Sequence, residues 1–265
     1  MRRAAIIVLG LLAGAALFAG LLAPAPFDMQ FRDFPNAAPS KQFPLGTDDL
    51  GRDRLSRLLH GARVSLLMAP AAALAATFLA ALIGIGAGLA GGWVEKLVML
   101  AADLFLSLPW MFLLLSMRAV LPLNTSPLVS LAITFALLSL LGWAGPARVV
   151  RVAVKAVASS GYLLQAKAAG VRNWRLVIHH VLPNLRAVMR AQFWISVPVF
   201  ILAEANLSLL GLGVAEPLPS LGTMLKELEN YSAIGARPWM LAPAVFLLAV
   251  MLCLQAVLPQ EEGVR

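Results

Sequence analysis

Between Ala147 and Arg190 the chain carries eight Lys/Arg and no Asp or Glu. The middle of this stretch reads Tyr162-Leu163-Leu164-Gln165-Ala166-Lys167-Ala168-Ala169-Gly170, and Leu182-Pro183-Asn184 follows twelve residues after Gly170. Ser159-Ser160-Gly161 supplies N-cap chemistry, Gly170 is a natural helix stop, Asn173 can cap a second helix and Pro183 ends it. In that second helix Trp174, Val177, Ile178, Val181 and Leu182 fall on one apolar face, with Arg172, Arg175 and His179 opposite. An amphipathic helix of this kind lies on a bilayer surface or inserts into a groove of another protein, so its chemistry is docking.

Two further groups of residues could do chemistry. Asp48–Arg52 and Asp53–Arg57 are acid-to-base pairs at i,i+4, and Thr47 or Asp48 can cap a helix in which Leu55, Leu58 and Leu59 form the apolar side. Asp103 and Glu204 lie inside apolar runs, where an ionised group costs at least about 2.5–3.5 kcal/mol, so each must face protein or water. Cys253 is the one cysteine, which excludes a disulfide framework, and His60, His179 and His180 show no metal-ligand spacing. No Lys follows a Gly, so a phosphate-cradling P-loop is absent and nucleotide chemistry belongs to a partner.

The elements that must position these groups are membrane helices. Sixty per cent of the 265 residues are hydrophobic and 13% are charged, with a mean hydropathy of +0.84, which takes the chain out of the soluble globular class. The net charge of +8 sits beside apolar runs, a topological pattern and not a nucleic-acid face. Six segments suffice to cross a core of about 30 Å: 4–23, 64–91, 94–121, 128–149, 188–210 and 239–258. The first could be a cleaved signal, since Ala23-Pro24-Ala25 follows it, but its apolar run is long and Pro26 would follow the cut; it is read as retained. The sequence thus reads as an all-α protein of one transmembrane domain over 1–265: first helix 4–23, outer loop 24–63, and a five-helix core 64–258 interrupted by the 147–190 loop.

Lys/Arg placement orients it. Arg2-Arg3 and the 147–190 loop share a side if six helices alternate, so the termini and that loop are expected in the cytoplasm, with 24–63 and 211–238 outside. Gly84, Gly88 and Gly92 make a smooth stripe, read as packing within the chain, with a second copy as the alternative. Pro70, Pro109, Pro198 and Pro243 each predict a kink.

Tyr162…Ala166-Lys167-Ala168…Gly170…His180-Val181-Leu182-Pro183-Asn184 resembles the EAA loop of permease subunits of bacterial ATP-binding cassette importers, in the dipeptide/oligopeptide/nickel subfamily. Leu45-Gly46-Thr47-Asp48-Asp49-Leu50-Gly51-Arg52-Asp53, continuing through Ser56-Arg57, is similar to the subfamily's signature after its first helix. Asp103-Leu104…Leu108-Pro109 and Ala203-Glu204-Ala205…Leu210-Gly211-Leu212-Gly213 resemble its third and fifth helices, so the likeness spans about residues 43–222. It implies that the loop is a coupling helix seated in a cytoplasmic ATPase, marked by Tyr162, Leu164, Gln165, Ala166, Gly170, Arg172, Arg175, His180, Leu182, Pro183 and Asn184. Leu164 stands where the family usually has Glu, and the tail Pro259–Arg265 lacks the usual extension.

The resemblance also implies a homologous permease as partner, two ATPases that bind the ATP, an extracytoplasmic binding protein and a place in the bacterial inner membrane. No catalytic, cofactor or metal residue and no nucleic acid is expected. A nickel or metal-chelate permease, an ion-coupled carrier and a membrane anchor are the alternatives.

Overall fold

A computed structural model of the chain describes residues 2–122, 125–171, 173–229, 235 and 237–257. Arg172, the tail 258–265 and the side chains of Leu164, Lys167 and Asn173 lie outside the described residues. Among those residues all regular structure is helical, as a chain this apolar requires: hydrocarbon offers no partner to a backbone N–H, and a helix satisfies its own. The helices are α1 (Arg2–Leu17), α2 (Ala19–Leu22), α3 (Arg54–Ala90), α4 (Gly92–Ser107), α5 (Trp110–Val120), α6 (Pro127–Leu141), α7 (Ala144–Ala158), α8 (Gly161–Ala168), α9 (Asn173–Leu176), α10 (Leu182–Leu209), α11 (Leu221–Lys226) and α12 (Ala242–Val257). A π turn, Val177–Val181, joins α9 to α10.

Four of the six expected segments appear as single helical stretches able to cross a bilayer: Arg54–Ala90, Pro127–Ala158, Trp174–Leu209 and Pro238–Val257. The segment 94–121 is broken. α4 and α5 meet at 87° across Leu108–Pro109, because Pro109 brings no N–H and pushes Leu108 into an extended conformation. The first segment is divided at Phe18 into a helix of 16 residues and one of 4. Pro70 and Pro198 sit inside continuous helices, whereas Pro243 lies in the first turn of α12, where a missing N–H removes no bond within that helix.

The chain forms two compact units, each assembled from separate stretches. The first comprises residues 1–70, 115–136 and 198–265; the second comprises 71–114 and 137–197. Within long helices the division falls at Pro70 of α3 and Pro198 of α10.

In the first unit α1 lies along α12, and α11 also contacts α12. The 24–53 segment folds over a small aromatic cluster, with the Phe31 and Phe43 rings 5.0 Å apart. Arg118, buried on α5, donates to Ser130 Oγ at 3.0 Å, and Ser130 Oγ donates to the Gly213 carbonyl at 3.2 Å.

In the second unit the end of α3 packs closely on α7, and this is where the glycine stripe acts. A Cβ at Gly84 would lie 2.7 Å from the Ala147 carbonyl oxygen, and one at Gly88 would lie 2.8 Å from Val154 Cγ1. Gly92 is not part of that contact; it has φ +53° and opens α4, with nothing within 4 Å. Replacing Gly88 with Leu should therefore destabilise the protein by about 1–3 kcal/mol, as overpacking does. Gly86, which faces open space, should accept Leu with little change, and thermal melts of both variants in detergent would show the difference.

Candidate functional site

The docking segment is built outward from a small core. Val150 and Val154 on α7, Leu163 on α8, Leu176 on α9, Val181 in the π turn and Leu185 on α10 form one buried apolar cluster, with Ala166 packed at its edge. Gly170 has φ +78°, so α8 stops there and the chain reverses into α9. A Cβ at Gly170 would meet nothing within 4 Å; backbone conformation, not space, demands glycine.

Three details differ from the sequence reading. The Ser159 and Ser160 hydroxyls donate back to the Ala156 and Val157 carbonyls, 3.0 and 2.5 Å away, and so finish α7 instead of starting α8. The second helix does not end at Pro183. It runs through the π turn into α10, and the wider turn comes just ahead of a ring that would clash with the carbonyl four residues back. The buried face is also different: Leu176, Val181 and Leu185 point inward, while Trp174, Ile178 and Leu182 are exposed.

The exposed side therefore mixes apolar and basic groups. The Arg175 guanidinium stands 5.3 Å from the Trp174 ring centre, and the Tyr162 and His180 rings are 6.5 Å apart. Gln165 and Asn184 are exposed beside them, and Asn184 Nδ2 donates to the His180 carbonyl at 2.6 Å. Pro183 is half-buried. Arg172 and the Leu164 side chain belong to the same expectation and lie outside the described residues.

The docking segment is tied to α4 by charge. Glu95, which the sequence reading missed, is buried and receives Arg151 and Lys155 from α7, the lysine Nζ at 2.9 Å. Its signal was present as a lone acid at the start of a span beside an otherwise acid-free basic segment. Asp103 pairs with Arg148 at 2.9 Å with both side chains half-exposed.

In the first unit the outer signature forms a second polar centre. Asp48 and Arg52 do pair, at 2.7 Å, but in a turn: the Leu50 and Arg52 N–H groups donate to Asp48 Oδ1, and α3 starts only at Arg54. Gly46 and Gly51 have positive φ beside the carbonyls of Ala37 and Phe31, so neither tolerates a Cβ. Thr47 Oγ1 donates to the Phe34 carbonyl. Asp53 does not pair with Arg57; it caps α3, accepting from Ser56 N at 2.7 Å and Ser56 Oγ at 2.6 Å. Arg57, fully buried, reaches Glu216 at 3.0 Å, and Arg54 reaches Glu227 at 2.6 Å. Both glutamates come from the 211–229 segment, 159 and 173 residues on, a separation that i,i+4 reasoning cannot bridge.

Burial alone would raise the Glu216 carboxyl, but Arg57 and Arg52 outweigh it and hold the group below the usual carboxylate range. Glu227 moves the other way: burial raises it more than Arg54 and Arg57 lower it. Glu204 is fully buried and bound by hydroxyls, accepting from Ser220 Oγ at 2.6 Å, Ser208 Oγ at 2.7 Å and Ser65 Oγ at 3.5 Å. It fastens α10 to α3 and to the start of α11, where Ser220 and Thr223 form a capping box. Among the described residues no three His, Cys, Asp or Glu side chains converge as metal ligands would.

Helices long and apolar enough for several crossings, with polar centres that dock and fasten, define a multi-pass helical membrane protein. The family described as binding-protein-dependent transport system inner membrane component matches residues 80–259, and the chain belongs to it. It is 35% identical to the di/tripeptide transport system permease protein of Pseudomonas aeruginosa, over 94% of this chain and 81% of that one. It is 32% identical to the oligopeptide transport system permease protein of Bacillus subtilis, over 93% and 78% of the two chains. The dipeptide permease protein of Alkalihalophilus pseudofirmus is also 32% identical, over 89% and 76%.

The arginine-to-glutamate clasp carries a pH signature. A carboxyl lowered by folding stabilises the folded state above its unfolded value, about 4.3, and loses that contribution as pH falls through the folded value. The stability difference between wild type and Glu216→Gln should thus be present at pH 7 and shrink as pH falls below about 4.3 in melts across pH, contributing at most about 1 kcal/mol because the Glu216 side chain is half-exposed. Arg57→Leu, which leaves Asp48 to Arg52 but takes a fully buried guanidinium away from Glu216 and Asp48, should cost more, about 1–3 kcal/mol.

Proposed function

We propose that this chain is a permease subunit forming half the translocation path of an ATP-driven importer of peptides, and that the segment from Tyr162 to Asn184 seats in a cytoplasmic ATPase. The observation that carries this is the exposed Tyr162, Trp174, Arg175, Ile178 and Leu182 surface, held rigidly by its own buried core and free of carboxylates. An apolar centre rimmed by cations fits a groove with an acidic edge. Peptide cargo is favoured over nickel by the names of the relatives. An ion-coupled carrier finds no support, since Asp103 is paired with Arg148 and Glu204 is enclosed by serines.

In this reading a homologous permease completes the path, two ATPases bind and hydrolyse ATP, and an external binding protein delivers the cargo to the outer face. The chain does no covalent chemistry and holds no cofactor. It lies in the bacterial inner membrane with its termini and the docking segment in the cytoplasm, the side to which Arg2, Arg3 and the 147–190 cations assign them. Gly46 to Arg57 and Glu216 then lie outside, where the binding protein arrives.

Reconstituted with its partners, Gly170→Val should keep ATP hydrolysis while uptake falls about tenfold or more, because a β-branched residue resists the left-handed conformation. Gly170→Asn, which accepts that conformation, should restore most uptake. Normal uptake by the valine variant would refute the docking assignment. Leu164→Glu, restoring the family's usual carboxylate, should tighten capture of the ATPase if the partner surface there is basic.

A further inference from the structure

The second unit contains nine Lys/Arg and only two carboxylates, Glu95 and Asp103, a surplus of seven positive charges (9 − 2). Both carboxylates are engaged, by Arg151 with Lys155 and by Arg148. Arg186 and Arg190 therefore have no acid left to meet within their unit, and both are exposed. They stand four residues apart on α10, and Arg190 Nε donates to the Arg186 carbonyl at 3.3 Å, which places the two cations on one side of the helix. Beside them is a groove of about 650 Å³ whose other walls are apolar apart from Thr77: Leu74 and Thr77 of α3, and Leu182, Met189 and Phe193 of α10.

The depth of this groove follows from the charge pattern of the chain. From Ala191 to Ala203 the sequence carries no charge, and Arg190 is the last cation before that run. Long basic side chains at the start of an apolar span lie at headgroup level, and the apolar wall at Phe193 falls beneath it.

We propose that this groove is a binding site for an anionic phospholipid of the inner leaflet, its phosphate held by Arg186 and Arg190 and an acyl chain lying against Leu74, Met189 and Phe193. The inner-leaflet placement rests on the orientation argued above; the chemistry of the site does not. Basic residues at the cytoplasmic end of an apolar cleft between helices are what an anionic headgroup with a hydrocarbon tail recognises. The lipid would supply part of the counter-charge that the unit lacks and would fix the start of the α10 span at the interface.

Native mass spectrometry of the full chain in detergent, titrated with phosphatidylglycerol or with phosphatidylcholine of the same acyl chains, tests this. The chain should retain phosphatidylglycerol about tenfold more tightly or better. R186Q/R190Q should bring the two lipids to within about twofold, the single R190Q variant should fall between, and R186K/R190K should keep most of the preference. Phe193→Ala should weaken both lipids equally. A preference unchanged in R186Q/R190Q, or displacement of the lipid by glycerol phosphate alone at similar concentration, would overturn the site. So would loss of a co-purifying permease from R186Q/R190Q with lipid retention unaltered, because the groove would then be a protein interface. Capture of the ATPase by the same variants reads the docking segment separately, and it should be unaffected whichever way the lipid result falls.

Discussion

The six-residue apolar cluster of Val150, Val154, Leu163, Leu176, Val181 and Leu185 is the contact on which the second unit depends. Without it α8, eight residues long, is too short to be helical on its own in water, and α9, the first turn of the rod that continues into α10, has nothing to hold it against α7. The cluster draws on residues on both sides of the Gly170 reversal, so the local turn and the long-range packing specify the same arrangement. It also joins the docking surface to α7, which Glu95 fastens to α4 and which Gly84 and Gly88 allow α3 to approach. A push on the exposed face is thereby delivered to three helices at once.

Carboxylates are scarce in this chain, and seven of the thirteen have a defined task. Asp53 caps α3, Asp48 shapes a turn, Glu95 and Asp103 receive α7 cations, Glu216 and Glu227 receive Arg57 and Arg54, and Glu204 gathers serine hydroxyls. Buried charge is tolerated where a partner and hydrogen bonds compensate desolvation. Arg118 shows the same economy with neutral partners, Ser130 and a carbonyl. Where cations outnumber acids, as over 175–190, they stay exposed, so that water, or lipid or protein beyond the chain, solvates them.

Much of this was legible in the sequence, and what was not has identifiable causes. Gly170 as a helix stop, the intrachain use of Gly84 and Gly88, the Asp48–Arg52 pair and a break at Pro109 all follow from local rules. The apolar face of the second helix was misassigned because period 3.6 was carried through 177–181, where the turn is wider and shifts every later side chain around the axis. Asp53 was assigned to Arg57 because both sit at helical spacing, yet a residue just before a helix serves its open N–H groups first. Glu216 and Glu227 were out of reach of any local rule: their partners depend on the 211–229 segment folding back on residue 57.

The length of the helix that leaves the docking segment bears on how a displacement there could be transmitted. From Trp174 to Val197, wholly within the second unit, the helix runs 24 residues, about 36 Å, through one π turn and without an interior proline beyond Pro183 near its start. Wider turns and prolines are where long helices bend, so any compliance in this rod is concentrated at 177–183, close to the docking surface. Leu176, Val181 and Leu185 bracket that stretch and are all buried in the apolar cluster. The packing therefore braces the weakest part of the rod. A force applied at Trp174 would reach Phe193 by moving the rod as a whole, since bending at the π turn would first have to open the buried cluster.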